Sequence, residues 1–205
     1  AALDEGALKN GGPMVRTFHG VSSEVLQEAG KQVKVLTPEE GKVVLHRYLR
    51  VPLKLCHQYV HSLGTAKDLG VKLEDLERFV KREVERRGLK GKEGLQSLLE
   101  LKEFELHTLG KDRMKKRELE EGVRALRGLL GQWKFVQAWA AYEKLKEKQG
   151  YLDYADLHHE LLALFEGGYK PGFKQVIVDE FQDTNRVQLD LVFGLAPGLA
   201  TTSGG

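Results

Sequence analysis

Through the middle of the chain, apolar residues return every three or four positions, the spacing that keeps them on one side of a helix. Leu73, Leu76, Phe79, Val80 and Val84 form such a stripe with charged residues between them, predicting an amphipathic helix over 73–87. The same rhythm predicts helices over 95–109, 111–130 and 131–148, with the intervening glycines read as punctuation. Ahead of them, Thr37-Pro38-Glu39-Glu40 supplies an N-cap, a proline at the first helical position and acids in the first turn. That helix runs toward Pro52, and another is expected over 53–63, ending at Gly64. Phe135, Trp139 and Tyr142, at i, i+4 and i+7, read as core rather than as a platform for stacked bases.

Toward both ends the pattern changes. Residues 1–12 read as the end of a helix running into a Gly-Gly turn. Residues 14–18 read as a short strand, broken by His19-Gly20 before a helix over 22–29 that Ser22 or Ser23 caps and Gly30 ends. Near the other end, Asp153 is placed to cap a helix whose buried face is Leu157, Leu161, Leu164 and Phe165. The β-branched run Val176-Ile177-Val178 then reads as a strand buried on both faces of a parallel sheet. Asn185, with Gln188 three residues on, opens a last helix. Strands on either side of a long helical block predict an α/β protein, part of a parallel sheet carrying a large all-α insertion.

Chemistry concentrates where the later strand ends. Residues 175–189 read QVIVDEFQDTNRVQL, so Asp179 and Glu180 emerge at the carboxyl edge, where open α/β sheets bind ligands. Adjacent carboxylates there suit phosphoryl transfer: one holds Mg²⁺ through its waters while the next polarises the attacking water. The plain alternative is a pair of solvated loop acids. Two other groupings invite a role. His57 and His61 beside Cys56 have ligand spacing, but no second pair accompanies them. The cluster Lys111, Arg113, Lys115, Lys116 and Arg117 could touch phosphates, yet Glu118, Glu120 and Glu121 follow directly, as on a solvated helix face.

The string VIVDEFQDTNRVQ resembles motif II, the Walker B segment, of the UvrD/Rep/PcrA-type superfamily 1 DNA helicases. The resemblance implies that Asp179 is a Mg²⁺ ligand and Glu180 the base for ATP hydrolysis, with Gln182 and Asp183 coupling the nucleotide site to DNA. TFHG at residues 17–20 resembles motif Ib, which implies that Thr17, Phe18 and His19 contact single-stranded DNA. WAAYEKLKEKQGYLDYADL resembles the segment that returns the inserted helical subdomain to the ATPase core.

By that likeness the fold is part of a RecA-like P-loop NTPase sheet carrying an inserted helical subdomain. Residues 1–30 belong to the motor domain (motif Ib strand and helix) and 31–150 to the insertion. Residues 151–200 return with motif II, and 201–205 form a disordered tail. ATP and Mg²⁺ are the implied cofactors; single-stranded DNA and the remaining helicase domains are the implied partners.

The sequence also departs from the family. No G-x-x-x-x-G-K-S/T loop occurs, and Gly91-Lys92-Glu93 and Gly110-Lys111-Asp112 lack both the glycine frame and the hydroxyl. Motif III and a second motor domain with its arginine finger are not in these residues either. The expectation is therefore an internal fragment of an ATP-dependent helicase or translocase, inactive alone because phosphates must be cradled while water is activated. The alternative is a noncatalytic DNA- or protein-binding module with a vestigial motor strand. A metal-dependent hydrolase using Asp179, Glu180 and Asp183 is a third reading, but it needs further carboxylates that the sequence does not mark.

Composition changes this picture little. Lys+Arg 32 against Asp+Glu 30 leaves +2, so net charge gives no argument for nucleic acid and any such contact must come from local patches. One cysteine, Cys56, cannot form an internal disulfide and fits a reducing cytoplasm. No apolar stretch approaches the roughly 18 residues of a membrane span, and no signal-peptide pattern opens the chain, which points to a soluble cytoplasmic protein.

Overall fold

The computed structural model describes residues 14–109 and 112–196. Helices dominate it: α1 (Phe18–Glu28), α2 (Pro38–Val43), α3 (Leu53–Asp68), α4 (Leu73–Glu85), α5 (Gly91–Thr108), α6 (Arg113–Gln149), α7 (Tyr154–Glu166) and α8 (Arg186–Leu195). Among the described residues the sheet has two strands, β1 (Lys34–Val35) and β2 (Tyr151–Leu152). They pair in parallel, Lys34 opposite Tyr151 and Val35 opposite Leu152, and the Leu36 amide extends the ladder to the Leu152 carbonyl at 2.8 Å. No described helix is long and apolar enough to cross a membrane.

The chain divides into two compact units, one of residues 1–38 with 150–205 and the other of residues 39–149. In the first unit, Val25 and Leu26 of α1, Leu157 and Leu161 of α7, and Leu191 and Leu195 of α8 share one core. α7 is central, packing against both α1 and α8. Its start follows the sequence expectation: Asp153 accepts from the Asp156 amide at 3.1 Å while Asp156 accepts from the Asp153 amide at 2.9 Å, a reciprocal cap. α8 packs tightly on α7, since a Cβ built on Gly194 would fall 2.1 Å from the Phe165 ring.

In the second unit every described element is helical. α6 is 37 residues long, roughly 55 Å at 1.5 Å per residue, and α4 and α5 pack along it. Val80, Val84, Leu95, Leu99, Val123, Leu126, Leu129 and Val136 form its core. Trp139 and Tyr142 are buried at 2% exposure, as expected, while Phe135 meets Tyr59 edge-on at 5.1 Å. Cys56 is buried, its Sγ directed at the carbonyls of Val51 and Pro52, and burial pushes its thiol pKa up.

Several expectations are corrected. Gly131 does not separate two helices but lies, with Gly122 and Gly128, within α6, and Gly64 lies within α3 rather than ending it. Each glycine costs a helix interior about 1 kcal/mol, while each flanking apolar side chain such as Val123 or Leu129 gains about 1.5–3 kcal/mol by burial, so burial wins. No strand forms at residues 14–18, because Thr17 Oγ1 accepts from the Gly20 amide at 3.3 Å and starts α1 at Phe18. The run Val176-Ile177-Val178 is not a doubly buried strand either. Val176 packs against the core, but Ile177 is 84% exposed, and among the described residues no neighbouring strand pairs with the run. The strands that do form lie elsewhere, where the chain leaves and re-enters the first unit. Expectations for residues 1–12 and 201–205 fall outside the described residues.

Two outcomes test this packing. Gly194→Ala should lower stability by about 1–3 kcal/mol through overpacking against Phe165, read from urea unfolding. The Cys56 thiol should react with an aromatic disulfide reagent quickly in denaturant and only on the unfolding timescale in the native chain.

Candidate functional site

Residues 179–185 form a turn between the extended run at Val178 and α8. Asp179, Glu180, Phe181, Gln182 and Asp183 are all exposed. Glu180 adopts φ 49° and ψ 44°, a left-handed conformation rare outside glycine, and a 3₁₀ turn over Phe181–Asp183 follows it. That kink is closed by its own hydrogen bonds. The Asp183 amide donates to the Glu180 carbonyl at 2.9 Å and the Thr184 amide to that of Phe181 at 3.1 Å.

Side chains within the turn hold one another. Asp179 Oδ1 accepts from the Glu180 amide at 2.9 Å, and the Gln182 side-chain amide donates to Glu180 Oε2. Gln182 thereby orients the Glu180 carboxylate. Asp179 Oδ2 and Glu180 Oε1 accept no hydrogen bond among the described residues, which leaves two hard oxygen donors on consecutive residues. Such a pair fits Mg²⁺, which keeps several waters and takes one or two carboxylates together with phosphate oxygens. Among the described residues no cluster of three His, Cys, Asp or Glu side chains encloses a metal by itself. Asp183 contributes its amide to the turn.

Below the turn the backbone is anchored. Asn185 Oδ1 accepts from the Gln188 amide at 2.9 Å and Gln188 Oε1 from the Asn185 amide at 3.1 Å. This reciprocal cap starts α8, whose Val187, Leu191 and Leu195 are buried.

The residues expected to meet DNA have mixed settings. Thr17 is exposed, with its hydroxyl engaged as the cap of α1. Phe18 is half-buried against the first unit's core. His19 is half-buried and stacks on Tyr154 at 4.2 Å and on His158 at 4.7 Å between ring centroids. The geometry thus makes Phe18 a packing residue and gives His19 a ring-stacking role on α7. Sequence reasoning missed this stack, although Tyr154 and His158 at i, i+4 put two rings on one side of α7. It also missed the left-handed Glu180, for which the residue type offers no signal.

The other groupings separate from the site. Cys56 is buried while His57 and His61 are exposed. At the start of α6, Arg113, Lys115, Lys116 and Arg117 are exposed and Arg117 pairs with Glu121 at 3.4 Å; Lys111 lies outside the described residues.

The sequence matches the UvrD/REP helicase N-terminal domain over residues 5–201. A curated relative from Exiguobacterium sibiricum, one subunit of an ATP-dependent helicase/nuclease, is 41% identical over 58 residues, which is 24% of this chain and 5% of that protein. The chain therefore corresponds to a small part of that relative's length. No solved structure matches.

Asn185→Ala should lower thermal stability by about 1 kcal/mol through loss of the cap beneath the acidic turn, and Asn185→Asp by distinctly less.

Proposed function

The chain belongs to the UvrD/REP helicase family, and on that premise we propose that it serves the motor domain of an ATP-dependent DNA helicase. In this reading the 205 residues are an internal segment of a longer chain, residues 31–150 being its helical insertion. The intact enzyme couples ATP hydrolysis to movement along single-stranded DNA. The observation that carries the proposal is the turn at residues 179–183, which presents two adjacent carboxylates within the string VIVDEFQDTN.

The turn supports a division of roles that the motif resemblance suggests. Asp179 would hold Mg²⁺ through its waters, and the metal would neutralise charge developing on the phosphates of ATP. Glu180, its carboxylate oriented by Gln182, would accept the proton of the attacking water. Gln182 and Asp183 lie in the same turn, so a shift in the Glu180 contact can pass toward α8. Thr17 has an exposed position from which to meet a DNA phosphate, and His19 would act there through its stack on α7.

The segment supplies acids but no glycine-rich loop to cradle phosphates, so the 205 residues alone should show no DNA-stimulated ATP turnover. In the complete helicase chain, Glu180→Gln should lower turnover by about 10²–10⁴-fold while nucleotide binding persists. DNA-stimulated hydrolysis by the isolated segment, or full turnover by the Glu180→Gln enzyme, would contradict the proposal.

A further inference from the structure

Charge in the second unit is unevenly distributed. From Gly41 to Lys67 the sequence has no Asp or Glu, yet it carries Lys42, Arg47, Arg50, Lys54 and Lys67. Lys42 is answered by Glu39 at 2.5 Å and Lys67 by Glu143 at 2.7 Å. Arg47, Arg50 and Lys54 are exposed and form no ion pair among the described residues. Elsewhere in the unit many cations are matched locally, Lys81 by Glu77, Arg87 by Glu83 and Arg127 by Glu103.

The backbone carrying these cations is firmly built. α2 passes into a π-helical turn over Val44–Tyr48, closed by the Leu49 amide on the Val44 carbonyl at 3.3 Å. The Val51 amide donates to the Leu45 carbonyl at 3.0 Å, and the Val51 carbonyl accepts from His46 Nδ1 at 3.0 Å. Arg50 is held at φ 57°, the left-handed region that a long side chain rarely enters. π-turns and left-handed non-glycine residues both concentrate at functional positions. Beneath them Leu45, Val51 and Cys56 are buried, while the Tyr48 side chain above is 69% exposed. Buried neighbours and bonded carbonyls fix a turn whose exposed side chains include Arg47, Tyr48 and Arg50, within a stretch whose sequence has no acid.

We infer that this turn and the start of α3 bind one nucleic-acid strand, with Arg47, Arg50 and Lys54 on phosphates and the Tyr48 ring on a base. The inference rests on the reading of nucleic acid as this protein's partner and adds where on the second unit the strand is held. Unpaired cations supply attraction without sequence preference, and an exposed ring offers any base a flat partner. An acidic peptide would use the same cations but gains nothing particular from a stacked ring.

The test is anisotropy of a labelled oligothymidylate with the 205-residue chain, without nucleotide, between roughly 50 and 200 mM salt. Arg47→Ala, Arg50→Gly and Lys54→Ala together should flatten the salt dependence by about 2 in logarithmic slope. Glycine is chosen at position 50 because it accepts the positive φ. Tyr48→Ala should weaken binding about tenfold, and Tyr48→Phe should restore it. Protection of the Cys56 thiol verifies that each variant is folded.

Binding by the unaltered chain with an unchanged slope in the triple variant overturns the assigned face alone. No oligonucleotide binding by the unaltered chain overturns the face and the nucleic-acid reading together. Binding of polyglutamate in place of the oligonucleotide, lost in the triple variant, overturns it in favour of a protein partner. A flattened slope stands as support even if Glu180→Gln leaves ATP turnover intact, so the two readings fail separately.

Discussion

The first unit depends on burial of one side of α7. Leu157 and Leu161, exposed by 1% and 0%, meet Val25 and Leu26 of α1 and Leu191 and Leu195 of α8. These helices come from distant parts of the chain, so bringing them together costs loop entropy before any contact compensates. Each fully buried leucine returns about 1.5–3 kcal/mol. The β1–β2 ladder spans only two residue pairs and is too short to hold these segments by itself. Hydrophobic contact with α7 therefore sets the positions of TFHG, at the start of α1, and of the acidic turn that precedes α8.

A different interaction fixes the second unit's register. Glu143 on α6 receives Lys67 of α3 at 2.7 Å, Lys146 at 2.9 Å and the Trp139 indole nitrogen at 3.1 Å. Lys146 is 2% exposed and lies 5.1 Å from the Tyr142 ring centroid. Buried ion pairs add little net stability, because desolvation offsets attraction, but removing one partner strands the other. The network makes one alignment of α3 on α6 much better than its neighbours. It complements the apolar core farther along α6, where Leu126 and Leu129 would tolerate a small slide more readily.

Much of this was legible in the sequence, for local reasons. Asp153 with Asp156 and Asn185 with Gln188 carry their caps within three residues, so the starts of α7 and α8 could be read directly. The stripe containing Val80 and Val84 likewise announced α4. Long-range burial was not legible: it carries α6 on through Gly131, where local propensity reads a break. Strands were misplaced because an apolar run such as Val176 to Val178 states a preference, whereas a ladder requires a partner. In the acidic turn the residue types were legible, but the left-handed Glu180 and its contact with Gln182 arise from the closing of the turn itself.

The central claim is that Asp179 and Glu180 serve a metal–nucleotide site, and binding of metal with nucleotide tests it more directly than turnover does. The measurement is paramagnetic resonance of Mn²⁺, standing in for Mg²⁺, titrated with a nonhydrolysable ATP analogue into the complete helicase chain. The account predicts a protein-bound Mn²⁺–nucleotide signal that Asp179→Ala strongly weakens and Glu180→Gln retains. An undiminished signal in the Asp179→Ala protein would contradict it.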